Sequence, residues 1–126
     1  MMIALTVLAS VILAQAPIVA ASHQPAEKAE VDVAYTTLAA GMADEAEAKI
    51  EANDSLDSQD PARLINLGTA YAAQGRMDEA AAMFKAAILS DKRYDLELAD
   101  GSWVDSRVAA RMALAGLNSD RAFAKR

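Results

Sequence analysis

Two stretches of the chain repeat at a fixed distance: Gly41 and Gly75 lie 34 residues apart, as do Asp44 and Asp78, Glu45 and Glu79, and Ala46 and Ala80. The segments read Gly-Met-Ala-Asp-Glu-Ala and Gly-Arg-Met-Asp-Glu-Ala, and later in the unit Ile50 stands where Phe84 does. A period of this length means that each copy is one supersecondary unit, which buries its apolar face only against a neighbour. In the second copy Leu64, Leu67, Gly68 and Tyr71 recur at helical spacing, and so do Ala80, Met83, Phe84, Ala87 and Ile88. This spacing predicts two amphipathic helices with the turn at Gly75 between them. Gly68 and the alanines let the two axes approach, while Tyr71 and Phe84 fill the wider gaps. Pro61 suits a first helical turn, where its missing N–H costs nothing, and Asp60 suits the cap before it. Asp44, Glu45, Asp78 and Glu79 fall in first turns, where negative charge complements the helix dipole, so they read as helix starts rather than as catalytic carboxylates.

The second copy, residues 61–94, resembles the tetratricopeptide repeat through Asn66-Leu67-Gly68, Tyr71, Gly75, Asp78-Glu79-Ala80, Phe84 and Ala87. It departs from that family's pattern at Leu64, where a Trp is usual, and at Lys92, where a proline usually closes the unit. The first copy, residues 27–60, keeps mainly its second half, because Ala34 and Thr37 stand where the second has Gly68 and Tyr71. The resemblance implies an all-α solenoid of helix-turn-helix repeats, two repeats and a capping helix, held by Ala46, Ile50, Leu67, Gly68, Tyr71, Gly75, Ala80, Phe84 and Ala87. It also implies that the first helix of each unit lines a concave groove. Val31, Asp32, Tyr35, Leu38 and Ala39 occupy those positions in the first copy, and Ala62, Ile65, Asn66, Thr69 and Ala73 in the second. This lining is mainly apolar and lacks the lysine, arginine and asparagine set with which some family members hold a C-terminal carboxylate. The expected role is therefore a non-catalytic interaction module that receives the apolar face of a partner helix or peptide, with Tyr35 and Ile65 as anchors. Two alternatives stand beside it. The chain's own last helix covers these residues as core, or the protein is a structural subunit that self-associates through the groove or through oppositely charged ends.

Two repeats are fewer than the three that usually make a stable stack, so the end of the chain should supply a cap. Residues 94–98 alternate apolar and acidic, Asp100-Gly101 signals a tight turn, and Ser102-Trp103-Val104 can pair back, which predicts a short β-hairpin. From Ser106, read as a cap, Val108, Ala109, Met112, Ala113 and Leu117 predict a last helical face. Trp103 reads as the plug joining hairpin to helices, with an exposed partner anchor as the alternative. The repeats with this cap span residues 27–117, and residues 118–126 read as a frayed tail.

Residues 1–21 carry no charged side chain, and their apolar centre, residues 3–14, has the length of a signal-peptide core. Val19-Ala20-Ala21 offers small residues for cleavage after Ala21, followed by a linker at 22–26, whereas a retained segment of this length would tether the chain to a membrane. The expected location is accordingly the periplasm or cell envelope, by export or by anchoring. Should cleavage fall after Ala20, the chain would begin Ala21-Ser22-His23, an arrangement able to surround Cu(II) or Ni(II). A solvated histidine is the plainer reading.

The 54% apolar content is dominated by 31 alanines against one Trp, three Tyr and two Phe, which favours close-packed helices and argues against an all-β fold. With no cysteine, disulfides, thiolate metal sites, a cysteine nucleophile and a lipid-modified N-terminal cysteine are excluded. His23 is the only histidine and lies outside the repeats, and neither a glycine-rich phosphate loop nor zinc or calcium spacing occurs. No enzyme, cofactor or metal is therefore expected. Charge is uneven: residues 27–60 hold ten acidic and two basic residues, and residues 61–126 hold eight acidic and ten basic. The net charge of −6 and the absence of a basic–aromatic stripe disfavour nucleic acid as a partner.

Overall fold

A computed structural model describes residues 19–22 and 34–124 of the chain. In chain order it contains β1 (Val19–Ser22), α1 (Tyr35–Ala39), α2 (Ala43–Ala52), α3 (Pro61–Ala73), α4 (Met77–Leu89), β2 (Asp95–Leu98), β3 (Trp103–Asp105) and α5 (Ser106–Ala124). The described fold is mostly helical, with one small antiparallel sheet in the order β1-β2-β3.

The helices form two helix-turn-helix pairs in the same register. α1 ends at Ala39 and α3 at Ala73, and α2 starts at Ala43 and α4 at Met77, each 34 residues apart. The turns are built alike. Gly41 and Gly75 take φ of 81° and 80°. The N–H of the following residue donates back to the last helical turn, Met42 to the Thr37 carbonyl at 3.1 Å and Arg76 to the Tyr71 carbonyl at 2.9 Å. A left-handed residue closing a helix with this back-bond satisfies carbonyls that would otherwise be orphaned, and glycine holds that φ without a Cβ penalty. The first pair departs from the second at its beginning. Ala34, which aligns with mid-helix Gly68, has φ 60° and precedes α1. α1 therefore has five residues where α3 has thirteen.

α3 is the centre of the molecule and packs against α1, α2, α4, α5 and β1. The Asp60 side chain caps it by accepting the Arg63 N–H at 3.1 Å, with Pro61 in its first turn. A Cβ built on Gly68 would lie 2.6 Å from the Phe84 ring, so the closeness of α3 and α4 depends on glycine there. Ile50, Ile65, Phe84 and Leu96 are completely enclosed and form the centre of the core.

The hairpin is present, with Asp100-Gly101 in its turn and Leu96 opposite Val104. It is tied to the helix pairs at one corner. The Tyr94 hydroxyl donates to Asp60 at 2.7 Å and Ser90 Oγ donates to the Gln59 carbonyl at 2.6 Å. Burial and the neighbouring Asp60 carboxylate hold the Tyr94 hydroxyl protonated well above its ordinary range.

Several expectations need correction. Trp103 is not a plug but 45% exposed. Leu96 and Leu98 face inward, so Glu97 and its cross-strand partner Trp103 face outward by the alternation of a strand. The cap of α5 is Asp105, whose Oδ1 accepts the Arg107 and Val108 N–H groups at 2.9 and 3.3 Å, while Ser106 is buried and its Oγ accepts the Tyr94 N–H. The core face of α5 is Ala109, Ala110, Ala113 and Leu117, and Val108 and Met112 point outward. Small residues let this helix lie close against α4 and α3. The helix also continues to Ala124 rather than fraying at residue 118, and Arg121 reaches Asp78 at 2.7 Å.

The expectation that residues 1–21 stand apart from the fold fails for Val19, Ala20 and Ala21. They pair with β2, Val19 opposite Leu98 and Ser22 opposite Leu96, with one extra residue bulged on β1. Residues 1–18 and 23–33, and with them His23, lie outside the described residues.

Candidate interaction surface

The groove positions do not form an open surface. Val31 and Asp32 lie outside the described residues. Ala62, Ile65, Asn66 and Thr69 are buried, as is Leu38; Tyr35 is half-buried against the core, and Ala39 and Ala73 are exposed at helix ends. The physical reason is the central place of α3, which has neighbours on every side. Its polar groups are accommodated inside: the Thr69 hydroxyl donates to the Ile65 carbonyl at 2.9 Å. The described part of the lining that resembles a docking face is thus largely buried. Among the packing positions, Ala46, Ile50, Leu67, Gly68, Tyr71, Ala80, Phe84 and Ala87 are buried and Gly75 is exposed in its turn.

Where the two helix pairs meet at the Gly75 turn, the surface carries a polar cluster that sequence reasoning missed. Arg76 Nη1 donates to both Glu47 carboxylate oxygens at 2.9 Å, and its Nε and Nη2 donate to Glu79 at 2.8 and 2.6 Å. The guanidinium lies 4.3 Å from the centre of the Tyr71 ring, a cation–π contact. Gln74 Nε2 adds a bond to Glu47 at 2.9 Å, and the Tyr71 hydroxyl donates to Glu51 at 3.3 Å. The Gln74 and Arg76 hydrogen bonds hold the Glu47 carboxyl below its ordinary value of 4.5, and Arg76 does the same to Glu79. Burial, with Glu51 and Glu47 nearby, raises the Tyr71 hydroxyl. The arrangement is a clasp between one helix pair and the next. Arg76 aligns with Met42 across the repeat, so the only signal in the sequence was its break from that equivalence.

The clasp should make stability depend on acid pH in a defined way. Carboxylates with lowered folded-state values contribute stability that is complete above their ordinary 4.5 and is lost as pH falls through the lower folded values. Replacing Arg76 with Gln returns Glu79 toward its ordinary value, and Glu47 in part because Gln74 still binds it. Thermal melts by circular dichroism at stepped pH should then show a shallower fall of Tm below pH 4.5 in Arg76→Gln than in the wild type. Equal slopes would mean that the clasp does not form in solution.

The remaining surface feature is the outer face of α5. Val108, Arg111, Met112 and Ala115 are all exposed and follow the i, i+3, i+4, i+7 spacing of one helix face. Val108 is 41% and Met112 49% exposed, which places two of the five exposed large apolar residues of the described chain on one stripe. Arg111 has no ion-pair partner among the described residues. Among those residues no cluster of three His, Asp or Glu is arranged to hold a metal, and no helix is long and apolar enough to cross a membrane. No protein family, curated protein sequence or solved structure matches the chain.

Proposed function

We propose that the protein is a non-catalytic protein-interaction module, a small scaffold of two tetratricopeptide-like helix pairs with a capping hairpin and helix, exported to the cell envelope. The repeated turn supports the repeat assignment: helix ends, helix starts, left-handed glycines and back-bonds all recur at 34 residues. The uncharged run at residues 1–21 supports export. The observation that carries the interaction role is the outer stripe of α5, where Val108 and Met112 face solvent although alanines were available on the helix to do so. Exposed apolar side chains gathered on one helix face suit contact with another protein. The buried α3 face is not the contact surface.

The test is affinity capture from an envelope fraction with the tagged full chain, wild type against Met112→Glu, with mass spectrometry and a mass measurement of the pure protein. The module should retain a binding partner, foreign or its own kind, that Met112→Glu loses. A wild-type chain that is monomeric and retains nothing beyond what Met112→Glu retains would overturn the reading.

A further inference from the structure

We infer that the partner of the α5 stripe is the α2 face of a second copy of this chain, so that molecules join head to tail. This inference rests on the interaction-module reading. α2 and α5 belong to opposite ends of the helix order: α2 packs against α1 and α3, and α5 against α4, α3 and the hairpin. Their outward faces are complementary. α5 presents the bulky apolar Val108 and Met112 with Arg111 between them. α2 presents Asp44, Ala48 and Ala52 at four-residue intervals, with Glu45 beside Asp44 and Met42 exposed at the entry to the helix. Alanines give a shallow track into which larger side chains settle, and close helix packing is governed by that fit of ridge and groove.

The charges match as well. Asp44 has no ion-pair partner among the described residues, and Glu45 is held only by Lys49 at 3.4 Å, each side chain half exposed. Arg111 of one molecule, which has no ion-pair partner among the described residues, is therefore offered to the Asp44 and Glu45 carboxylates of the next. Residues 34–60 carry seven acidic side chains and one basic, whereas residues 61–124 carry eight of each, so the negative field is concentrated on the α2 side of the molecule. Two α2 faces would repel. A contact between two different faces does not close on itself, so it generates chains or rings rather than a simple two-fold dimer.

Sedimentation velocity of the full chain over a concentration series tests this. Self-association should be present in dilute salt and weaken as the screening length falls from about 30 Å at 0.01 M to about 3 Å at 1 M. Arg111→Glu, and separately Asp44→Lys with Glu45→Lys, should each weaken association by about tenfold or more. An equimolar mixture of the two variants should restore it, because every contact between one variant and the other again joins opposite charges. All three positions are exposed, and circular dichroism reports whether each variant keeps its fold. If the double-lysine variant unfolds, Ala48→Arg obstructs the same face in mid-helix. A chain that stays monomeric in dilute salt overturns the proposal, as does self-association that Arg111→Glu leaves unchanged or a mixture that fails to rescue. A monomer that still holds a foreign protein through Met112 overturns the second copy as occupant and leaves the module reading standing.

Discussion

Replacing Phe84 with alanine is expected to destabilise the fold by about 3–5 kcal/mol, the range for deleting an enclosed aromatic ring from a core that closes only in part around the loss. Phe84 is completely buried and its ring lies against Gly68, where an added Cβ would meet ring carbons at 2.6 and 2.8 Å. The site is thus tight from both sides, and the reverse change is informative. Gly68→Ala should gain about 1 kcal/mol in helix propensity yet lose more than that to overpacking, which costs about 1–3 kcal/mol in a filled core. Combining Gly68→Ala with Phe84→Leu should cost less than the two separate changes added together, because the smaller side chain makes room for the methyl. Urea unfolding followed by circular dichroism gives all four values from shifts in midpoint at constant slope. A Phe84→Ala cost below about 0.5 kcal/mol, the ordinary size of a surface change, would mean that α3 and α4 do not pack through this ring.

This pair also shows how much of the fold was legible. The 34-residue spacing placed the turns, because only glycine takes the left-handed φ cheaply and it recurs at Gly41 and Gly75. Asp60 as a cap and Asp100-Gly101 as a hairpin turn were legible for the same reason, since each is decided by a few neighbouring residues. The direction in which a face points is a tertiary matter and was less legible. On α5, alanines outnumber larger apolar residues and carry little hydropathy, so the apolar side was ambiguous, and the packed side proved to be Ala109, Ala110, Ala113 and Leu117. Trp103 was legible in principle. Once Leu96 and Leu98 are taken as inward, strand alternation and the turn register send the residue opposite Glu97 outward. The hydrophobic gain of burying a large aromatic ring points the other way, and at this position the strand register prevails.

The polar clasp was illegible because it joins residues 29 positions apart, Glu47 and Arg76, that no local pattern connects. Strand β1 was hidden differently. Val19-Ala20-Ala21-Ser22 has the small apolar character of both a leader end and an edge strand, and only the presence of an open edge on β2 distinguishes them. Cleavage after Ala21 would remove three of the four residues of this strand and would leave the β2 edge without that partner.

Ile65→Ala is expected to cost about 2–5 kcal/mol, and this change separates a core from a docking face more sharply than any other. Ile65 is completely enclosed on α3, the helix that touches all the other described helices. Were it an anchor in an open groove, truncation would leave the free protein's stability within about 0.5 kcal/mol and remove only partner binding. As core, truncation lowers the urea midpoint of the isolated chain with no partner present. Tyr35→Ala supplies the internal comparison, because Tyr35 is only half-buried and should cost less. A domain of this size holds only about 5–15 kcal/mol in total, so the Ile65 change takes a large share, and Ile65→Ala combined with Tyr35→Ala approaches unfolding. That loss would arise at residues chosen for their resemblance to a binding surface. A helix lying at the edge of a longer stack can leave such a face open, but here two pairs, a cap and a strand surround α3, and the same residues are consumed in holding the fold together.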